Sequence, residues 1–201
     1  MSGVAILTVC SGNICRSPLA EQLLREQLAE QPGVTIESSG TVAMEGYGMD
    51  ARAAAYSRQL GGDPSQHRSR QLTVEQIADS DLVLAMSREH RKAIVQMLPR
   101  AARYAFTLRE LAHILAATQQ DVLSTAANLP ETDFTARFTA VVESAADNRG
   151  TIVPPDQPQD YDIIDPYGRT DEVYAESVAQ LVPAVNSIAF TLQRAAAVSV
   201  R

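Results

Sequence analysis

The sequence predicts an α/β protein in which a parallel sheet carries helices on both faces. Short apolar runs such as VAILTVC (residues 4–10) alternate along the chain with longer segments whose leucines recur at helical spacing. Glycine and proline separate the two kinds of segment, as at Gly61-Gly62. Strands that alternate with helices form parallel sheets, because each connecting helix packs on one face of the sheet.

The predicted elements follow one another along the whole chain. The strands are VAILTVC, VTIESSG (34–40), SDLVLAM (80–86) and RYAFTL (103–108). The helices cover residues 17–31, 49–62, 87–98, 108–118, 132–146 and 170–197. Pro32-Gly33 ends the first helix, and Ser87 and Thr170 are candidate N-caps. Pro183 is expected to kink or divide the last helix.

Composition indicates one globular domain, residues 1–201, because the chain is 45% hydrophobic and 20% charged. A net charge of −7 argues against general binding to nucleic acid. The apolar run at residues 4–10 is too short to span a membrane and no basic region precedes it, so we expect a cytoplasmic protein. In that reducing compartment the two cysteines are expected to have a chemical role.

Residues 119–164 do not fit the alternation of strands and helices. They include the predicted helix at 132–146 and the proline-rich loop VPPDQPQD (153–160). A connection of this length is typical of a functional lid or an insertion. We therefore predict that residues 119–164 are an insertion or lid within the single domain.

The stretch TVCSGNICRSP (8–18) contains both cysteines and joins the first strand to the first helix. A turn of small residues before a helix N-terminus presents backbone N–H groups to an anion. Gly12 allows the backbone to approach a ligand closely, and the planar guanidinium of Arg16 suits two oxygens of one phosphate. We therefore predict that residues 11–17 bind a tetrahedral oxyanion.

Cys10 lies at the floor of this turn, where the groups that bind a dianion also stabilise a thiolate. A thiolate held under a phosphorus atom is a nucleophile, and the Ser17 hydroxyl is placed to donate to it. The alternative is that Cys10 and Cys15 are simply buried and that Arg16 lies on the surface. The order of strand, small-residue turn, arginine, serine and helix favours the chemical interpretation.

The segment VCSGNICRSP (9–18) resembles the signature C-x-G-N-x-C-R-S-P of the low-molecular-weight protein tyrosine phosphatases. DPYG (165–168) is similar to the general-acid loop of that family, and FTLRELAHILA (106–116) is similar to its actinobacterial members. Further similar segments are IESSGT (36–41), HRSRQLT (67–73) and DLVLAM (81–86). The resemblance covers residues 4 to about 115 and about 160 to 195.

The resemblance implies a doubly wound, four-stranded parallel sheet. It also implies hydrolysis of phosphotyrosine through a phosphocysteine, without a metal or cofactor, with Cys10 as nucleophile, Arg16 on the phosphate and Asp165 as general acid and base. A separate acid is needed because one cysteine cannot both attack phosphorus and protonate the leaving oxygen. The alternative for Asp165 is an Asp-Pro turn on the surface. Nearby carboxyl groups that compete for the role are Asp156, Asp160 and Asp162.

Four residues are expected to support the loop. Asn13 suits left-handed backbone dihedrals and local hydrogen bonds. By resemblance, it belongs to a network with Ser17, Ser38 and His67. For His67, a place on the surface or at a helix end is the alternative.

The residues around the loop are expected to set substrate selectivity. By resemblance, Tyr167 lines one wall of the cleft against the substrate ring, and Met44 and Tyr47 lie near the opposite wall. Relatives that act on phosphoarginine carry Thr where this chain has Ile14, whose apolar side chain favours phosphotyrosine or merely packs the loop. The related arsenate reductases need a resolving thiol, and no cysteine follows Cys15, so only a small-thiol-dependent reductase remains as an alternative.

The resemblance implies a phosphotyrosine protein as substrate, a bacterial tyrosine kinase among the candidates, and phosphate as product. We expect no nucleic-acid or membrane partner, and a monomer or weak dimer. Two other interpretations stay open, in which the protein is either a protein-arginine phosphatase or a module that binds phosphate without turnover.

Cys15 lies five positions after Cys10 around the same loop. A reversible disulfide between them would stop activity and protect the thiolate from deeper oxidation. The alternative is that Cys15 only packs beneath the loop.

Overall fold

A computed structural model describes residues 3–31 and 33–198 and contains the four-stranded parallel sheet that the sequence predicts. The strands are β1 (Val4–Cys10), β2 (Val34–Gly40), β3 (Leu82–Ala85) and β4 (Ala105–Thr107), in the spatial order β2-β1-β3-β4. The chain adds β2 on one side of β1 and then crosses back to add β3 and β4 on the other side, so β1 pairs with both β2 and β3. This is the doubly wound arrangement, and ligands bind at the carboxyl end of the strand where the order reverses.

Eight helices lie in the described residues, together with short 3₁₀ turns at Pro99–Arg103 and Pro158–Tyr161. They are α1 (Arg16–Gln27), α2 (Ala51–Gln59), α3 (Val74–Ala78), α4 (Arg88–Met97), α5 (Leu108–Ala117), α6 (Gln119–Ala127), α7 (Phe134–Asn148) and α8 (Asp171–Ala197). Two of them, α3 and α6, were not predicted, because a helix of five or nine residues gives only a short apolar pattern. None of the helices that the structure describes has the length and apolar character needed to cross a membrane.

The ends of several helices differ from the prediction. The first helix stops at Gln27, whereas the predicted stop signal included Pro32, which lies outside the described residues. Ser87 caps α4 by accepting from the backbone N–H of His90, whereas Thr170 makes no capping hydrogen bond at the start of α8.

The prediction that Pro183 divides the last helix is wrong, because α8 runs without interruption from Asp171 to Ala197. Pro183 is exposed, so water can reach the carbonyl that loses its N–H partner. Buried residues on both sides of the proline, such as Leu181 and Val185, keep the two halves packed on the same core.

Alternate residues of β1 face two separate cores. Val4 and Ile6 pack with residues of α1, α5 and α8 on one face of the sheet. Leu7 and Val9 pack with residues of α3 and α4 on the other face. Because both faces are covered, β1 is a continuous apolar run rather than an alternating one. The helices on both faces leave the carboxyl end of β1 open, and this is where Cys10 lies.

The first part of the segment at 119–164 forms α6 and α7, which pack on each other and on α8. The Arg137 guanidinium of α7 is buried, and it donates to the carbonyls of Ala195 (3.0 Å), Ala196 (3.0 Å) and Val198 (2.7 Å) at the end of α8. It also donates to the carbonyl of Leu129. A cation at a helix C-terminus is favourable because the last carbonyls lack intrahelical donors.

We expect Arg137→Met to lower the free energy of unfolding by about 2–4 kcal/mol, because buried carbonyls lose their donors. Urea denaturation followed by circular dichroism measures the change. Arg103→Met is the matched control, since that arginine is exposed and its loss should change stability by less than about 0.5 kcal/mol. Equal stability of the Arg137 variant and the control would contradict the assignment.

Candidate active site

The loop from Cys10 to Arg16 turns its carbonyl oxygens outward and its amides inward. No acceptor for the backbone N–H groups of residues 11–16 is found among the described residues. The carbonyls of residues 10–14, in contrast, all accept hydrogen bonds from outside the loop. In chain order, their donors are the N–H groups of Thr41 and Val42, then Met44 N–H with the Ser69 hydroxyl, then the His67 ring and last Asp50 N–H.

The close packing of this loop against β2 requires a glycine in the strand. A Cβ at Gly40 would lie 2.4 Å from the Ser11 carbonyl oxygen, so no side chain fits where β2 passes the loop. A Cβ at Gly12 would meet only ordinary contacts, the nearest at 3.6 Å on Ile14. Around this loop, therefore, contacts within the protein restrict Gly40 to glycine and leave Gly12 unrestricted.

The Arg16 guanidinium is buried at the start of α1 and has one nitrogen without a partner. Its Nη1 donates to the Ile163 carbonyl at 3.1 Å and its Nη2 to Asp165 Oδ2 at 2.6 Å. The buried Nε finds no acceptor in the part of the chain that the structure describes. A buried unpaired donor is costly, so this Nε and the inward N–H groups together form a site for an anion.

Cys10 lies at the bottom of the loop, and its Sγ is 3.0 Å from the Ser17 hydroxyl oxygen. That oxygen also accepts from Asn13 Nδ2 at 3.0 Å. The Ser17 hydroxyl hydrogen has two acceptors within reach, the Ser39 carbonyl at 3.5 Å and the Cys10 sulfur at 3.0 Å, and the sulfur is the nearer. Ser17 therefore presents a donor to a thiolate at Cys10.

Asn13 connects the loop to the neighbouring strand. It has a φ of 55°, the only positive φ of a non-glycine residue that the structure describes. Its Nδ2 donates to the Ser38 hydroxyl at 2.8 Å, and its Oδ1 accepts from the N–H of Arg70 at 3.0 Å. Its carbonyl accepts from His67 Nε2 at 2.7 Å. The four residues expected to support the loop thus lie together, and His67 is buried rather than on the surface.

Glu21 is a buried member of this network that the sequence did not indicate. It lies on α1, accepts from the Ser38 hydroxyl and pairs with Arg25 at 2.7 Å. His67 Nδ1 is 3.9 Å from the same carboxylate. Burial nevertheless lowers the pKa of His67, and the nearby glutamate only partly offsets it. A glutamate four residues before an arginine is typical of an exposed ion pair on a helix, so the burial of Glu21 is seen only in the structure.

His90 is a second buried histidine that the sequence analysis missed. It lies in the first turn of α4, and its Nε2 is 2.8 Å from the Ser11 hydroxyl. Its Nδ1 is 2.9 Å from the Ser87 hydroxyl. Burial, together with the charge of Arg16, lowers the pKa of His90 to about 4, so the ring is neutral at neutral pH. Two buried histidines therefore hold the loop, His67 through the Asn13 carbonyl and His90 through the Ser11 hydroxyl.

Asp165 lies over the opposite side of the loop, with its Oδ2 against Arg16 and its Oδ1 accepting from the N–H of Tyr167 at 3.2 Å. Its side chain is 52% exposed, which leaves it accessible to a bound molecule. The three competing carboxylates lie elsewhere. Asp162 is bound by Arg88, and Asp156 and Asp160 are exposed on the loop that precedes it. Among the described residues, Asp165 is the one of these four carboxylates that contacts the loop from Cys10 to Arg16.

The expected wall residues differ in exposure. Tyr47 is 63% exposed and Tyr167 is 52% exposed, whereas Met44 is half-buried. The nearest side-chain atoms of Met44 would be 3.8 Å from a Cβ at Gly12, which places it beside the phosphate loop. Ile14 is buried in a small cluster with Ala53 and Tyr174.

Cys15 lies on the outer side of the loop, and both cysteines are free thiols in the structure. Its Sγ is 3.8 Å from the Tyr174 hydroxyl. Burial raises the pKa of the Cys15 thiol to about 12, so it is protonated at neutral pH. Burial likewise raises the pKa of Tyr174. Cys15 therefore contacts the phenol of Tyr174, whereas Cys10 contacts the hydroxyl of Ser17.

No group of three or more His, Cys, Asp or Glu side chains within residues 3–31 and 33–198 is arranged to hold a metal ion. The cation of this site is the Arg16 guanidinium, and the partial positive charges are those of the loop N–H groups and the α1 N-terminus. A thiol beneath an anion-binding loop at the end of β1 defines a cysteine-dependent, phosphate-handling class of α/β proteins.

Comparison with known proteins identifies the family. The profile of the low molecular weight phosphotyrosine protein phosphatases matches residues 5–148, so the chain belongs to that family of hydrolases. The low molecular weight protein-tyrosine-phosphatase Ptp of Acinetobacter johnsonii is 42% identical over 103 residues, which cover 51% of this chain and 70% of that protein. The matched range includes α6 and α7 and ends before Asp165.

Two solved structures extend the likeness over nearly the whole chain. The YwlE arginine phosphatase from Geobacillus stearothermophilus has a TM-score of 0.65 and 28% identity, with 94% of this chain and 93% of that one covered. The tyrosine phosphatase Wzb from Escherichia coli K30 in complex with sulphate has a TM-score of 0.64 and 25% identity, with 94% and 97% covered.

The neutral state of His90 predicts a pH dependence of stability. Its pKa is about 4 in the folded protein and about 6.5 when unfolded, so between these values only the unfolded chain binds the proton. The free energy of unfolding therefore falls as pH is lowered, by up to about 1.4 kcal/mol per pH unit from this group. We expect His90→Gln to make the decline between pH 6.5 and 4 shallower in urea denaturation, relative to a His113→Gln control. Parallel pH curves for the two variants would rule this out.

Proposed function

We propose that this chain hydrolyses phosphotyrosine in proteins through a phosphocysteine formed on Cys10. One observation carries the proposal: Cys10 lies beneath a loop whose N–H groups, like Arg16 Nε, have no acceptor in the part of the chain that the structure describes, and Asp165 lies against the same guanidinium. This places a nucleophile, an anion site and a carboxyl group around one point. Membership of a phosphatase family supports the same reaction.

In the first step, the phosphate group of the substrate binds to the loop N–H groups and to Arg16 Nε. The phosphate also competes with Asp165 for Arg16 Nη2, which frees the carboxyl group to face the leaving oxygen. Cys10 Sγ attacks phosphorus while the bond to the phenol oxygen breaks, and Asp165 donates a proton to that oxygen. The loop amides stabilise the charge spread over the three equatorial oxygens.

In the second step, water hydrolyses the phosphocysteine. The carboxylate of Asp165, now deprotonated, accepts a proton from the attacking water. The thiolate that leaves is stabilised by the Ser17 hydroxyl, whose oxygen is 3.0 Å from the sulfur, and by the loop amides. Phosphate is released and the thiolate is restored.

Ile14 favours phosphotyrosine over phosphoarginine as substrate. Its side chain is apolar and buried, so it offers no hydrogen bond to a guanidinium group. Protein-arginine phosphatase activity is the second candidate, because structural neighbours and a curated relative are named arginine phosphatases. Rates on phosphotyrosine and phosphoarginine peptides of the same sequence discriminate the two. Small-thiol-dependent arsenate reduction and phosphate binding without turnover are the other outcomes to measure.

We expect Cys10→Ser to abolish turnover of 4-nitrophenyl phosphate and of a phosphotyrosine peptide while inorganic phosphate still binds, as measured by calorimetry. Asp165→Asn should leave phosphate binding in place and lower kcat by about 10²–10⁴-fold, because the leaving oxygen loses its proton donor. End-point assays measure the loss of turnover in Cys10→Ser, and steady-state rates measure kcat of Asp165→Asn.

The matched control for the acid is Asp160→Asn, which removes an exposed carboxylate from the same segment. It should have wild-type kcat. Full activity of the Cys10→Ser protein would overturn the proposed nucleophile. A loss of kcat in Asp160→Asn equal to that in Asp165→Asn would overturn the proposed acid.

For the cell, we propose a cytoplasmic location and a phosphotyrosine protein as partner, a bacterial tyrosine kinase being one candidate. A nucleophilic thiol needs a reducing compartment, which supports the cytoplasm. We also propose that residues 119–164 act as an addition to the single domain, of which residues 162–164 lead into the loop of Asp165.

A reversible disulfide between Cys10 and Cys15 is a further proposal for this site. A peroxide oxidises the Cys10 thiolate to a sulfenic acid, and the Cys15 sulfur then displaces hydroxide, which leaves as water. Because burial raises the pKa of Cys15 to about 12, its thiolate fraction at neutral pH is small and increases about tenfold per pH unit. Disulfide formation should therefore be slow at pH 7 and faster at pH 8.

We expect wild-type protein treated with peroxide to regain activity with a dithiol, because the disulfide protects Cys10 from further oxidation. Cys15→Ser should lose activity permanently under the same conditions. Residual activity after dithiol treatment is the measurement, and mass spectrometry identifies the disulfide. Equal recovery of both proteins would leave Cys15 with a packing role only.

A further inference from the structure

The first turn of α4 lies between the two loops that carry Cys10 and Asp165. On one side, His90 Nε2 is 2.8 Å from the hydroxyl of Ser11, the residue after Cys10. On the other side, Arg88 binds Asp162, three residues before Asp165. Both contacts come from one rigid helical turn, which Ser87 caps.

Arg88 fixes the Asp162 carboxylate through both side chain and backbone. The guanidinium Nε is 3.2 Å from Oδ1 and 3.1 Å from Oδ2, and Nη2 is 2.8 Å from Oδ2. The backbone N–H of Arg88 donates to Oδ1 at 2.7 Å. That N–H is the first of α4 and has no intrahelical acceptor, so the carboxylate also caps the helix. Four contacts set the position and the orientation of Asp162.

The residues between Asp162 and Asp165 are fixed as well. The N–H of Ile163 donates to the Met86 carbonyl at 2.9 Å, and the Ile163 carbonyl accepts from Arg16. The N–H of Ile164 donates to Gln180 Oε1 at 2.9 Å. In the proposed mechanism the phosphate takes Arg16 Nη2 from Asp165, and the place of this half-exposed side chain over the loop then depends on the backbone on either side of it.

We infer that Arg88 and Asp162 are positioning residues for the general acid, and that the first turn of α4 sets the distance between Cys10 and Asp165. The inference rests on the proposed function. The Arg88 side chain is 46% exposed and that of Asp162 is 26% exposed, and their bidentate contact fixes the orientation of the carboxylate as well as its position. Displacement of a catalytic group by about 1 Å can lower a rate by about 10²-fold.

Misplacement of an acid has a kinetic signature that general loss of structure lacks. A poor leaving group needs the proton of Asp165 to depart, whereas an acidic phenol departs with little help. Phenyl phosphate releases a phenol of pKa about 10, like tyrosine, and 4-nitrophenyl phosphate releases a much more acidic one. The ratio of kcat/KM for phenyl phosphate to that for 4-nitrophenyl phosphate therefore reports the position of the acid.

The experiment measures this ratio for Arg88→Met and Asp162→Asn, each alone and combined with Asp165→Asn. We expect each single variant to lower the ratio by about tenfold. In the Asp165→Asn background we expect neither change to lower the ratio further, because both act through Asp165. Lys92→Met, which removes a positive charge from an exposed position of the same helix, is the control and should have the wild-type ratio. Thermal unfolding verifies that each variant is folded.

Equal losses on the two substrates, or a further fall of the ratio in the Asp165→Asn background, would overturn the inference. If Asp165→Asn lowers the ratio and the Arg88 and Asp162 variants do not, the inference fails while the proposed function stands. If wild-type protein hydrolyses neither substrate, the proposed function fails.

Discussion

The structure depends on a loop whose backbone amides are left without acceptors from the described parts of the chain. The N–H groups of residues 11–16 are unpaired there, while the carbonyls of residues 10–14 all accept hydrogen bonds from outside the loop. Left alone, a chain would satisfy those amides by folding them into turns or a helix. The outward carbonyl bonds prevent this, so the surrounding segments, from Thr41 to Ser69, serve to hold one strained arrangement open for an anion.

Positive charge at the site does not come from the two histidines. Arg16 and the N-terminus of α1 provide it. His67 and His90, which flank the loop, have lowered pKa values because both are buried. They hold the loop as neutral hydrogen-bonding rings.

The sequence predicts the part of the site that is contiguous in the chain. The strand, loop and helix from Val4 to Gln27 follow from an apolar run, small residues and helical spacing, and the doubly wound sheet agrees with the resemblance. The helical pattern does not reveal His90 or Glu21, because burial there depends on contacts with residues far along the chain, such as Ser11 and Ser38. A proline inside a helix predicts a break, but the packed core around α8 outweighs it.

Arg137 shows how the far end of the molecule is separated from the chemistry. It binds the last carbonyls of α8, about 36 Å along that helix from the end that follows Asp165, at 1.5 Å per residue. The helices α6 and α7 pack on α8, and Arg137 binds the end of α8 that lies farther from Asp165, so this part of the chain stabilises the fold at a distance from the cleft.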